Sequence, residues 1–459
     1  MKKLIGSKRF YKMVLAICIP IVIQNGFTNL ASLLDNIMIG QLGTLSMSGV
    51  SITNQLLQVF NVTIFGAMSG PGIFMAQFYG KKNKEGVENC FRIKLIIGII
   101  IALLAIFLFY TFGQQLISLY LNDNPQDSLK TLNYGMNYLK IMLVGLIPFV
   151  ITQVYSSSLR ETGNTILPMI ASVVAVIVNF CINYILIFGH FGFPEMGIQG
   201  AAVGTLTARM LELLIIVVYI WKIDTKVRLF DINLFRTIFL PENRKIWGAF
   251  FKVAFPIMCS GMIWAISVPM QTAILGHLSA DAIAANSVSS TFFQYLKVIV
   301  IAISSASAVV IGKDIGEGDI ERVKSDGRTL SVLDLLIGVV LASLLFVLRG
   351  PLLSMYKLTD TAAVLADHFI MIMSIVMVGM SYQMPVSVGV IQGGGDTKFS
   401  MYTNMISTWG IVMPLSFLAA FVWKLPVELV VAAVQSDQLF KGIPVFLRFR
   451  SYKWIHKLT

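Results

Sequence analysis

Charge is scarce in this chain. Lys, Arg, Asp and Glu make up 13% of its 459 residues, against roughly 25% in an ordinary soluble domain, and that shortage excludes a soluble globular protein. Cysteine is scarcer still. Cys18, Cys90, Cys181 and Cys259 are scattered, without the paired spacing of a disulfide framework or a zinc motif. The four histidines add no metal cluster. Acids are also few, 23 against 35 basic residues, leaving a net charge of +12 that needs an explanation.

What is abundant is apolar: 56% of the residues, gathered into about twelve runs, each able to cross a hydrocarbon core of roughly 30 Å as a helix. The runs read as helices over 14–40, 50–79, 93–113, 134–159, 166–188, 198–221, 247–276, 286–314, 329–349, 366–391, 400–423 and 426–446. They make an all-α integral membrane protein with short loops and no room for a soluble catalytic domain, so an enzyme is not expected. The opening MKKLIGSKRFYK before an apolar run resembles a signal peptide. The run continues to about Ile39 without a small-residue cleavage site, and reads as an uncleaved first helix.

Sorting the basic residues by loop explains the charge. With a cytoplasmic N-terminus, about 28 of them, Lys94 and Arg160 included, fall on the inner side and about five outside. The bias puts both termini in the cytoplasm of a plasma-membrane protein, and anionic headgroups rather than nucleic acid account for the surplus.

The charged stretch around 222–246 divides the chain into an N-lobe over 1–221 and a C-lobe over 247–459. The halves are copies. At an offset of about 236, Pro20 falls on Pro256, Gly40 on Gly276, Ser51 on Ser287 and Gly80 on Gly316. Each half has an even number of crossings, so the six-helix lobes are expected to be related by a pseudo-twofold axis along the membrane normal. The copies differ at Asp35, whose mate is Gln271.

A carboxylate at a helix centre costs about 2.5 to 3.5 kcal/mol on insertion scales, so Asp35 should face protein or water, as an acid that titrates or binds a cation, or as one solvated near a helix end. Asn179 and Asn183 are four apart and share a helix face. Thr205, in the next helix, comes to a similar depth, and one carboxylate, two amides and a hydroxyl suit a proton site or a small hard cation. Lys297 is a lone charge at depth, either snorkelling or facing a cavity. Arg209 with Glu212, and Asp437 with Lys441, have the spacing of intrahelical pairs. Asp334 is expected near a solvated helix start, and Asp123 and Asp127 in an external loop. Prolines 20, 71, 148, 256, 269, 385 and 414 fall inside predicted helices, where they permit bending.

Several segments in order carry a resemblance: PIVIQNGFTNLASLLDNIMIGQLG at 20–43, LRETGNTILP at 159–168, NFCINYILIFGHFGFPEMGIQGAAVG at 179–204, GHLSADAIAANS at 276–287 and GVIQGGGDT at 389–397. The chain resembles the multidrug and toxic compound extrusion (MATE) transporters over nearly its whole length. The resemblance implies a twelve-helix antiporter of two six-helix lobes that rocks between inward- and outward-open states and expels amphipathic organic cations in exchange for H+ or Na+. In the DinF-like branch the acid of the first helix is central to coupling, and its match is Asp35; Asn179, Asn183 and Thr205 match further polar residues of that site. Acids that the NorM-like branch carries near Trp264 and Ser381 are absent, which points coupling to the N-lobe. Lys297, Gln271 and Trp264 are expected to line a substrate cavity. No cofactor or metal is implied beyond the coupling ion, the partners are small organic cations and membrane lipids, and a monomer is expected. The rival readings are a lipid or polysaccharide-precursor flippase of related fold, which needs a more cationic cavity, and an intramembrane enzyme, which needs clustered acids.

Overall fold

The computed structural model describes residues 8–121, 125–222 and 244–459, save 277, 355 and 357. In hydrocarbon, backbone polar groups find partners only within the protein, and this sequence meets that demand with helices. Among the described residues the one β-type pairing is an isolated bridge between Gly395 and Ile455.

Helices α1 (Lys8–Gly40), α2 (Thr44–Gly80) and α3 (Lys84–Ser118) are 33, 37 and 35 residues long. Their counterparts α8 (Arg244–Gly276), α9 (Ala280–Glu317) and α10 (Ile320–Leu353) are 33, 38 and 34, so the duplication in the sequence recurs in the helix lengths. Between them come α4 (Pro125–Val144), α5 (Leu146–Glu161), α6 (Ile166–Phe188) and α7 (Gly197–Lys222).

The single helix expected at 134–159 is instead α4 and α5, bent by 50°. Gly145 sits at the break, and Pro148 has no N–H to give the carbonyl of Val144. Later, α11 (Asp360–Met384) runs on into a π-helical stretch, Pro385–Ile391. Next, α12 (Thr397–Met405) and α13 (Met413–Phe417) are separated by a second π stretch, Ile406–Val412. The last expected span, 426–446, is broken into α14 (Val427–Gln435), α15 (Asp437–Phe440) and α16 (Gly442–Ser451). Among the described residues, ten helices are long and apolar enough to cross a membrane, and the bent α4–α5 pair makes an eleventh span. The linker expected at 222–246 falls mostly outside the described residues.

Packing divides the chain into two units: Met1–Val22, Ala76–Asn83 and Phe251–Thr459 form one, and Ile23–Met75 with Lys84–Phe250 the other. The division falls within α1, just after Pro20. In the first unit Phe10, Val14, Ile17, Cys18 and Ile21 of α1 join a core with Ala306 and Val310 of α9, Leu330 of α10, Val390 of the π stretch and Phe449 of α16. The repeat mates Gly80 and Gly316 meet here. A Cβ on Gly80 would overlap the Lys313 carbonyl and one on Gly316 the Gln77 carbonyl, so α2 and α9 come this close only because neither has a side chain. Trp454 seals this unit, its indole donating to the Phe449 carbonyl at 2.9 Å. Gln77 donates to the His456 carbonyl at 3.0 Å and accepts from the Leu458 N–H at 2.9 Å.

In the second unit, Phe149 of α5 packs against Phe60 and Phe65 of α2. Leu103, Leu104 and Phe107 of α3 are left exposed, as a lipid-facing surface requires.

Candidate functional site

Asp35 lies in the last turns of α1 and is half-buried. Asn179 and Asn183, one turn apart on α6, are buried. The Asn183 amide donates to Asp35 Oδ1 at 2.7 Å. Turned with its nitrogen toward the carboxylate, the Asn179 amide donates to the same oxygen at 3.1 Å, and its own oxygen accepts from the Thr205 N–H at 3.2 Å. The Thr205 hydroxyl donates to the Ala201 carbonyl at 3.0 Å. Gly204 makes the space for this, since a Cβ there would overlap Asn183 Oδ1. The connection from α6 to α7 starts at Gly189, whose φ of 72° suits a glycine.

The structure thus brings together the four residues Asp35, Asn179, Asn183 and Thr205. It adds Tyr138 of α4, buried and within electrostatic reach of Asp35 and Arg209. Nothing in the sequence marks that tyrosine among fourteen. Chemically, one carboxylate oxygen is met by two neutral N–H donors. That favours a group able to alternate between an ion and an acid over a cage of hard oxygen ligands. Among the described residues no group of three His, Cys, Asp or Glu is placed to hold a metal.

In the other unit Lys297 Nζ lies over the Trp264 ring, 5.2 Å from its centroid, within cation–π range. Gln271 is half-buried two turns along α8 from Trp264, and no bond from it to either is formed among the described residues.

Other charged residues depart from or meet their expectations. Lys94, counted above with the cytoplasmic loops, is wholly buried within α3; it donates to Ser157 Oγ at 3.1 Å and pairs with Glu161 of α5. A lysine this deep needs such a partner, and Gly72 leaves room for it, since a Cβ there would overlap the Glu161 carboxylate. Arg209 does not close a salt bridge with Glu212; it lies over the Phe149 ring at 4.8 Å and donates to the Gly145 carbonyl at 3.4 Å, at the bend that Pro148 imposes. Asp334 is not solvated but has no exposure at all, because α10 begins at Ile320 rather than 329 and carries it about 21 Å along the axis. Asp437 and Lys441 do pair, at 2.7 Å. Asp123 lies outside the described residues, and Asp127 sits in the first turn of α4.

The MatE family profile matches residues 20–185 and again 256–418, once in each half. The two matches open on Pro20 and Pro256, the first pair of the repeat. The chain belongs to the MatE family. Relatives of this MatE chain include the probable multidrug resistance protein NorM of Thermotoga maritima, 25% identical over 447 residues, which span 96% of this chain and 93% of that protein. The multidrug resistance protein MdtK of Pectobacterium atrosepticum is 22% identical over 408 residues, 88% of this chain and 86% of that one. Among solved structures, a MATE in complex with MaL6 aligns with a TM-score of 0.86 at 19% identity, covering 98% of this chain and 97% of that one. The Vibrio cholerae MATE transporter VcmN in its bent form aligns with a TM-score of 0.84 at 19% identity, covering 96% and 97%. The MatE chain therefore has the twelve-helix, two-lobe fold of a multi-pass membrane protein.

Proposed function

We propose that this protein is a secondary antiporter of the plasma membrane that exports amphipathic organic cations in exchange for protons, with both termini in the cytoplasm and the monomer as the working unit. It is a carrier rather than an enzyme and needs no cofactor. The observation that carries this reading is the Asp35 site, an acid within a helix bundle held by two neutral amides. Ionised, the carboxylate attracts both a proton and a cationic drug; protonated, it loses its pull on the drug. Ion and drug therefore compete for one group. Exchanging one proton for one monovalent cation moves no net charge, so the proton concentration gradient drives export, about 1.4 kcal/mol for each tenfold difference, as the site opens to each side in turn. With amide nitrogens facing the acid, H+ is favoured over Na+. The names of the multidrug resistance relatives support the substrate class.

The test is efflux of a fluorescent organic cation from proteoliposomes energised separately by a pH gradient and a sodium gradient. Asp35→Asn should abolish pH-driven efflux while leaving the protein folded. Near-normal transport by that variant would overturn the reading, and efflux driven by sodium alone would move it to the other ion.

A further inference from the structure

Asp334 is a carboxyl that the Asp35 mechanism leaves unused. It has no exposed surface, and neither of its oxygens has a hydrogen-bond partner among the described residues. Along α10 it shares a face with Leu330 and Ile337, and both of these pack into the apolar core of the first unit. That core also contains Val14, Ile17, Cys18 and Ile21 of α1.

Two weak acids and a hydroxyl lie near Asp334 in a largely apolar region, the hydroxyl being that of Ser381, which packs against Gly338 one turn along α10. The Cys18 thiol of α1 and the Tyr382 hydroxyl of α11 are within its electrostatic reach. α9 contributes Ala302, Ala306 and Val310 to the core, and α16 Val445 and Phe449. Among the described residues no ion pair reaches Asp334. Arg322 sits 3.4 Å from Asp314 and 3.6 Å from Asp326, and Arg328 lies 5.9 Å from the centre of the Tyr452 ring. An ionised carboxylate enclosed in this way, without a cation or a donor, is not a stable arrangement; in such places the group neutralises instead. The π-helical stretch Pro385–Ile391 begins three residues after Tyr382, and irregular turns of this kind recur at functional sites.

We propose that Asp334 is a second proton-binding site, separate from Asp35, and that it is loaded while the N-terminal part of α1 is packed over it. One proton from water binds a carboxylate oxygen, the charge falls from −1 to 0, and Val14, Ile17, Cys18 and Ile21 close onto an uncharged surface. Loss of that proton places an unsolvated charge beneath Cys18, and water reaches it when this part of α1 lifts away. The ligand is a proton rather than a metal ion, since the thiol and the phenol do not complete an oxygen cage. The inference stands whether or not Asp35 couples transport.

Two measurements on the full-length protein in lipid test it. The first is the infrared C=O band of protonated carboxyls at neutral pH. One component should vanish in Asp334→Asn, persist in Asp35→Asn and shift in Asp334→Glu. The Glu variant keeps the readout available if the Asn variant does not assemble. A band unchanged in both Asp334 variants would overturn the proposal. The second places spin labels at Lys12 and Ser325, both exposed, with the native cysteines replaced by alanine. The distance between them should lengthen from acidic to alkaline pH in the parent and stay fixed in Asp334→Asn. Equal lengthening in both, or none in the parent, would overturn the link to α1.

Discussion

Asp35 and Asp334 lie in different units and meet opposite surroundings. Asp35 is half-buried and receives two amide N–H groups on one oxygen. Asp334 is buried beside an apolar core and receives no hydrogen bond among the described residues. A third acid, Glu161, is paired with a buried lysine. The contrast separates three uses of an acid in lipid. A carboxylate given a full countercharge is a structural fixture, one given neutral donors can change state at modest cost, and one given no partner is held as the neutral acid.

The largest effect should come from breaking the fixed pair. Lys94→Ala strands Glu161 in a buried site, and removing one member of a buried pair costs about 3 to 5 kcal/mol. Thermal unfolding in detergent should show a drop of that order, and Lys94→Met with Glu161→Gln should recover most of it. If the single variant melts with the parent, the pair is not the fixture described. Next is Gly204→Ala, whose new methyl group would push the Asn183 amide away from Asp35. The loss of a buried hydrogen bond to a charged group is worth about 1.5 to 3 kcal/mol. It should appear as weakened pH-driven efflux that Gly204→Ser does not repair, and unaltered coupling would show that the amide does not matter. The smallest is Lys297→Ala. A partly exposed cation–π contact contributes about 0.5 to 1 kcal/mol, so affinities for a panel of organic cations should change a few-fold and unequally. A uniform response across the panel would leave Lys297 a snorkelling residue and remove Trp264 from the cavity.

Much of this was legible without coordinates, because lipid leaves the chain few choices. Apolar runs fixed where the helices lie, and the offset of 236 between Pro20 and Pro256 fixed the duplication. Asn179 and Asn183 could be placed on one face because a helix brings residues four apart together. Contacts between distant segments were not legible. Lys94 and Glu161 are 67 residues apart, and nothing local in either says that they meet. The 50° bend at Gly145 and the π stretches near Pro385 and Pro414 are invisible to hydropathy, which averages over the turns where they occur. The sequence puts Asp334 near a solvated helix start because its apolar run begins nine residues after the helix itself does.

The tail that ties His456 and Leu458 to Gln77 also sets an order of assembly. The first unit draws on α1 as far as Val22, on residues 76–83 and on the chain from Phe251 onward. Domains ordinarily fold as they leave the ribosome, the earliest first. Here the start of α1 must wait for the chain beyond Phe251 before the unit can close. The second unit draws on residues 23–250 alone and can close while the rest is still being synthesised.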